Sequence, residues 1–372
     1  MSPKLTGEDS YESQVLKWLS PVWEVKNGPD ISVDGPMAER SNYKEVILGE
    51  RFLDALLRIN PFLSRDDAQK IRRDFEAPGE ADLVKANKRI MNWLTEGYPI
   101  SVRDENGEEK TKLAWAVDFE NSGNNNWLAV NQFSVLHESD AGTRRPDVVL
   151  FLNGLPIFVI ELKSPDNLEE NIWKAFNQLQ TYKSQITKLF YYNVGLIVAD
   201  GADARVGSLT ADKERYLKWR SIDGNIRDPH GAFGITQTLI EGLLQPEALL
   251  SIIKHFTIFV NGKNTYKMFP AYHQYFAVQK AYQRALTASD ETGDGRGGLM
   301  WHTQGSGKSY EMTCLAGMLT TSKLLKNPTV VVVTDRNNLD HQLHDIFVDA
   351  KELMRQTPEQ AETRQDLREK IG

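Results

Sequence analysis

Residues 144–165, RRPDVVLFLNGLPIFVIELKSP, restrict the fold more than any other stretch of the chain. Two apolar runs flank Asn153-Gly154, a residue pair that favours the backbone of a tight turn, so the segment reads as a buried β-hairpin. Its ends are charged: Asp147 opens the first run, and Glu161 and Lys163 close the second. An amphipathic stretch, NLEENIWKAFNQLQTYKSQ (167–185), follows and predicts a helix. The apolar LFYYNVGLIVADG (189–201) then predicts another strand. Strand, helix, strand is the pattern of an α/β unit.

Upstream, helices are expected over 9–20, with Val15, Leu16 and Leu19 on one face, over 43–60, ended by Pro61, and over 64–77, capped by Ser64. Residues 27–41 are rich in turn formers and read as a loop, and strands are expected near 112–118 and 127–136. Residues 202–260 mix helix and loop. A domain boundary is placed near 260, giving units 1–260 and 261–372, and a second α/β pattern begins beyond it.

Composition excludes several classes. A formal charge of −7 over 372 residues gives no overall basic signature, so a nucleic-acid partner would need local positive charge. Cys314 is the only cysteine, which rules out an intramolecular disulfide and a cysteine-rich zinc site. The N-terminus lacks the pattern of a signal peptide, and no run of 18 apolar residues is present. A soluble, cytoplasmic protein is expected.

HTQGSGKS (302–309) lies between the apolar GLMW and the helical YEMTCLAGML, the strand, loop and helix context of a phosphate-binding loop. Gly305 and Gly307 let backbone N–H groups turn toward phosphate oxygens, with Thr303 and Ser306 in the same loop. Lys308 would reach the terminal phosphates of ATP, and the Ser309 hydroxyl would hold Mg²⁺. His302 stands where the strict pattern has glycine. VVVVTDRNNLDHQ (330–342) resembles a strand and loop of superfamily 2 helicases and translocases. In FPAYHQYFAVQKA (269–281), Gln274 resembles their adenine-recognising glutamine. A second acidic motif, which such motors need for Mg²⁺ and the attacking water, is not reached before Gly372. The expectation is therefore a truncated motor that binds nucleotide weakly and does not turn ATP over efficiently by itself.

Asp147, Glu161 and Lys163 resemble the Asp…Glu-x-Lys arrangement of PD-(D/E)xK nucleases. Two carboxylates gather a divalent metal beside a scissile phosphate, with the Leu162 carbonyl as a further oxygen, and the lysine offsets developing charge. Side chains alternate faces along a strand, and a plain two-residue turn would pair Asp147 with Ile160 and turn Glu161 away. A shared site therefore predicts an extra residue, expected as a glycine-centred bulge at Gly154 after a type I turn. Gln178 and Tyr182, four apart on the following helix, resemble a Gln-x-x-x-Tyr pair of a nuclease subgroup that includes motor-coupled restriction enzymes. Glu12 is the candidate upstream acidic residue, with Glu8 almost as well placed.

The order of these motifs resembles the R subunit of type I restriction enzymes. The resemblance implies a PD-(D/E)xK nuclease domain with a mixed sheet, then the start of a RecA-like superfamily 2 motor. It implies Mg²⁺ at Asp147 and Glu161, ATP at Lys308, and double-stranded DNA as substrate. It also implies modification (methyltransferase) and specificity subunits as partners, which choose the target; no base-reading motif is found here. Two other readings stay open on sequence alone: a nuclease-inactive assembly module, and a DNA-gripping domain of a helicase-like remodeller.

Overall fold

The computed structural model describes residues 8–103, 108–164, 171–231, 234–261, 265–334 and 337–371. The chain divides into two compact units, Met1–Ile253 and Lys254–Gly372. The first is built on a six-stranded mixed sheet whose strands lie side by side in chain order. They are β1 (Glu24–Asn27), β2 (Trp127–Asn131), β3 (Val148–Leu152), β4 (Leu155–Leu162), β5 (Gly195–Ala199) and β6 (Ala204–Gly207). The β1–β2 and β4–β5 pairs are parallel and the rest antiparallel. Every residue of β3, β4 and β5 is buried, so both faces of the sheet centre are covered, as their unbroken apolar runs require.

Seven longer helices belong to or border this unit: α1 (Glu8–Leu19), α2 (Gly49–Ile59), α3 (Arg65–Glu76), α4 (Leu83–Glu96), α5 (Ile172–Gln185), α6 (Ile235–Leu243) and α7 (Pro246–His255). The Ser64 cap is present as a reciprocal box with Asp67. The helical pattern over 43–60 becomes helix only at Gly49, because the Leu48 N–H is spent on the Gly154 carbonyl at 2.9 Å. The parallel step from β4 to β5 is made by α5, the expected crossover helix.

The β3–β4 hairpin corrects one expectation in detail. Leu152 pairs with Leu155, and both Asn153 (φ +51°) and Gly154 (φ +81°) are left-handed, so the turn has two residues and no bulge. The extra residue comes later. Phe151 pairs with Pro156 and Leu150 with Phe158, which leaves Ile157 without an opposite number. Proline has no N–H to give a ladder, so a bulge next to Pro156 costs less pairing than one elsewhere in the strand. Beyond it Val148 faces Ile160, and Asp147 comes into line with Glu161.

In the second unit a hairpin (Ile258–Val260 with Tyr266–Met268) precedes α8 (Tyr272–Ser289), α9 (Lys308–Thr320) and α10 (Asn337–Asp349). The apolar runs at 298–301 and 329–334, expected as strands, form none. Leu299, Trp301 and Val333 are 89%, 85% and 84% exposed. A parallel strand needs a neighbouring ladder, and none stands beside these runs among the described residues. Asp335 and Arg336 lie outside the described residues.

The Asn-Gly turn is itself a buried joint. Asn153 is fully buried, donates to the Ala116 carbonyl (2.9 Å) and Asn125 Oδ1 (2.8 Å), and accepts from the Asn126 N–H (2.7 Å). A Cβ on Gly154 would lie 2.5 Å from the Leu48 carbonyl oxygen. Gly154→Ala is therefore expected to lower the unfolding free energy by about 3 kcal/mol, combining left-handed strain with displacement of α2. Denaturant titration checks this; a loss below about 1 kcal/mol would contradict the close docking of the turn.

Candidate functional site

The charged residues of the hairpin meet at one end of the sheet. Glu161 lies one residue before the end of β4 and is completely buried. Its Oε1 accepts from Lys163 Nζ at 3.1 Å, while its Oε2 is buried without a donor among the described residues. Asp147, at the head of β3, accepts the Leu162 N–H on Oδ2 at 2.7 Å. The ammonium of Lys163 also donates to the Leu162 carbonyl at 2.9 Å. Burial, followed by repulsion from the Asp147 carboxylate, holds the Glu161 carboxyl well above the usual carboxylate range.

Across this end runs α5. Gln178 Nε2 donates to Tyr182 Oη at 2.7 Å, and Tyr182 Oη reaches the Arg145 carbonyl at 3.5 Å. Burial, with the Glu161 carboxylate nearby, pushes the Tyr182 phenol up to about 12, so the group is neutral at ordinary pH and can only donate or accept hydrogen bonds. The two helix residues spaced four apart are thus brought to the carboxylates.

Glu12 takes a neighbouring place. It accepts from Asn131 Nδ2 at 2.7 Å and from the Gln132 amide, just past β2. The Gln132 N–H in turn donates to the Asp147 carbonyl at 2.9 Å. Among the described residues no group of three or more metal-ligating side chains forms, so Glu12 stands beside the Asp147–Glu161 pair rather than in one cluster with it. The side chain of Glu8 lies outside the described residues. Asn131 and Gln132 were not singled out from sequence; a polar pair ending an apolar strand carries no signal by itself.

The donor set suits a divalent cation. Two carboxylates converge, one with an unsatisfied buried oxygen, and their mutual repulsion is what a cation would relieve. Mg²⁺ in particular is held by one or two carboxylates and keeps several waters, so a third protein carboxylate is not required. The Leu162 carbonyl is already engaged by Lys163 and would join only if that bond opened.

The phosphate-loop residues form a second, separate arrangement. Gly305 (φ +80°) and Gly307 (φ +86°) are left-handed, and Gly307 caps the start of α9. Lys308 Nζ donates to the carbonyls of His302 (3.0 Å) and Thr303 (2.8 Å), folding back over its own loop. His302 Nδ1 lies 2.7 Å from Oε1 of the buried Glu311, which gives a physical reason for histidine where glycine was expected. Gln274 accepts from the Ala271 N–H and donates to the Ser306 carbonyl at 2.8 Å, so it braces the loop. Ser306 Oγ is buried with no partner among the described residues, and Ser309 is the second residue of α9, after Lys308. Left-handed glycines, a helix N-terminus and a lysine are the donors that phosphate oxygens require.

Two family descriptions match the chain. Residues 6–215 match the family described as "Type I restriction enzyme R protein N terminus", and residues 273–372 match "SWI2/SNF2 ATPase". The type I restriction enzyme HindI endonuclease subunit of Haemophilus influenzae is 40% identical over 99% of this chain and 35% of its own length. The putative type I restriction enzyme MjaIXP endonuclease subunit of Methanocaldococcus jannaschii is 31% identical over 92% of the chain and 34% of its own length. The chain thus spans about a third of the length of these curated relatives. With the first match covering more than half of its residues, the chain belongs to the type I restriction enzyme R protein family, matched over that family's N-terminal region.

Proposed function

We propose that this chain is the DNA-cleaving and ATP-dependent DNA-translocating subunit of a type I restriction-modification system. In this reading residues 1–260 are a PD-(D/E)xK endonuclease domain and residues 261–372 the first part of a RecA-like motor. The observation that carries it is the buried group of Asp147, Glu161 and Lys163, aligned by an extra residue in β4 that the hairpin does not otherwise need. Relatives named as endonuclease subunits support the same activity. Double-stranded DNA is the substrate, and modification and specificity subunits are the partners that select it.

Asp147 and Glu161 would hold Mg²⁺, which when bound supplies an activated water and offsets charge on the phosphate. Phosphodiester hydrolysis forms a bond from water oxygen to phosphorus and breaks the bond to the leaving sugar oxygen. Lys163, fixed by Glu161 and Leu162, places its ammonium where negative charge grows on the phosphate oxygens. Tyr182 stays protonated and orients the site through the Arg145 carbonyl, held in turn by Gln178. Glu12 fixes Gln132 and with it the strand that presents Asp147. In the motor, Thr303, Gly305, Ser306, Gly307 and Lys308 would take the phosphates of ATP, with Gln274 bracing the loop and Ser309 toward Mg²⁺.

Cleavage of a plasmid bearing the target, by the complete complex with Mg²⁺ and with or without ATP, tests the proposal. Asp147→Ala and Lys163→Ala are each expected to lower the cleavage rate by about a hundredfold or more. Unchanged rates in both would remove the nuclease assignment.

Glu161→Gln should abolish cleavage and yet raise the thermal midpoint of the metal-free protein by a few degrees near neutral to alkaline pH. The sign follows from the raised carboxyl. Stability is fullest below its ordinary value of 4.5 and declines as pH climbs toward the folded value, so the variant's advantage vanishes in acid. Thermal scans across pH read this directly. Lys308→Ala is expected to weaken ATP binding by about tenfold or more, read with a fluorescent ATP analogue.

A further inference from the structure

The carboxylate end of the sheet is an unfavourable place for a polyanion. Glu12, Asp147, Glu161 and Asp200 all stand at strand ends or beside them, and the ammonium of Lys163 is committed to Glu161 and Leu162. The chain as a whole is acidic, with a formal charge of −7. A DNA backbone approaching this end therefore needs positive charge that the protein has not used internally.

Such charge stands immediately before Asp147. Arg145 is exposed, and its side chain makes no ion pair or hydrogen bond among the described residues. Pro146 between them is buried, and Arg145 stands two residues from Asp147 in the segment that leads into β3. The Arg145 carbonyl is the group that Tyr182 Oη contacts, so the backbone carrying this arginine is tied to the helix that covers the carboxylates. Arg144 lies beside it, held by Gln185 and the Thr143 carbonyl, and its charge is felt at the Tyr182 hydroxyl. One arginine is thus fixed against the site and the next is free at its rim.

We infer that Arg145, with Arg144 behind it, binds a DNA backbone phosphate next to the scissile one and sets the distance at which the duplex meets Asp147 and Glu161. The inference rests on the nuclease reading for the word scissile, but the phosphate contact itself is a matter of binding. Arginine suits the task because its planar fork can take two phosphate oxygens at once and its charge is independent of pH. Arg145 is here a positioning residue: it acts on the substrate backbone, away from the bond that breaks.

The test measures binding on the intact chain and cleavage in the complete complex. A short fluorescent duplex is titrated in Ca²⁺, where binding is read by anisotropy across a series of salt concentrations. Arg145→Ala is expected to weaken binding about tenfold and to reduce the slope of log K against log salt by about one. Arg145→Lys should recover most of the affinity, and Arg145→Glu should be weaker than alanine. In the complete complex with Mg²⁺ and ATP, the alanine variant should raise the KM for target-bearing duplex far more than it lowers kcat. Unchanged affinity and slope in Arg145→Ala, lost affinity with an unchanged slope, or no measurable duplex binding by the unaltered chain would each overturn the inference. If binding shows the Arg145-dependent slope while the unaltered complete complex cuts nothing with Mg²⁺ and ATP, the nuclease reading fails and the phosphate contact stands. If that complex cuts and Arg145→Ala changes neither binding nor KM, the contact fails and the nuclease stands.

Discussion

One unpaired residue in β4 decides the geometry of the whole site. Side chains on a strand alternate faces, so a shift of one position moves a residue to the other side of the sheet. The Asn153-Gly154 turn alone would leave Glu161 pointing away from Asp147. The bulge at Ile157 restores the even register at Val148 and Ile160, and just beyond them the Asp147 and Glu161 carboxyls interact. Around them stand the Lys163 ammonium on Glu161, the Tyr182 hydroxyl, and the Gln132 N–H on the Asp147 carbonyl. The turn itself is free to serve another purpose, docking on α2 and burying Asn153 among backbone partners.

The same register creates an electrostatic cost. Two carboxylates are forced together with one fully buried and one oxygen left without a donor. Lys163 offsets only part of this, since it also donates to the Leu162 carbonyl. The rigid buried sheet around them prevents the pair from relaxing apart. A cation meets this need better than any rearrangement of the protein, which connects the strain of the fold to the chemistry proposed for it. The phosphate loop of the second unit shows a comparable economy: Lys308 rests on its own loop carbonyls and Gln274 on the Ser306 carbonyl.

Much of this was legible in the residues. The Asn-Gly pair, the apolar runs and the amphipathic helix located β3, β4, α5 and β5, because local periodicity and turn chemistry agree there. The need for an extra residue followed from alternation alone. Its position did not: glycine's backbone freedom points to Gly154, whereas the bulge lies beside Pro156, which has no N–H to give the ladder. Helix α4 went unread although Asp82 caps it and Ile90, Met91 and Leu94 share its buried face. The edge strand β1 was equally hidden, since EVKN lacks any apolar pattern and is placed by pairing with β2. In the second unit the apolar runs at 298–301 and 329–334 were read as strands from their composition, but a strand exists only beside a partner. Glu12 bonds Asn131 and Gln132, partners at the end of a strand over a hundred residues away that leave no local trace.

Metal binding by the intact chain tests the account most directly, because the register, the repulsion and the proposed chemistry all converge on that event. Titration with Mn²⁺ in the absence of nucleotide, followed by electron paramagnetic resonance, counts bound ions without requiring DNA or catalysis. The account predicts a site that is present in the unaltered protein and lost in Asp147→Asn, with the fold retained. Equal Mn²⁺ binding by both proteins would contradict it.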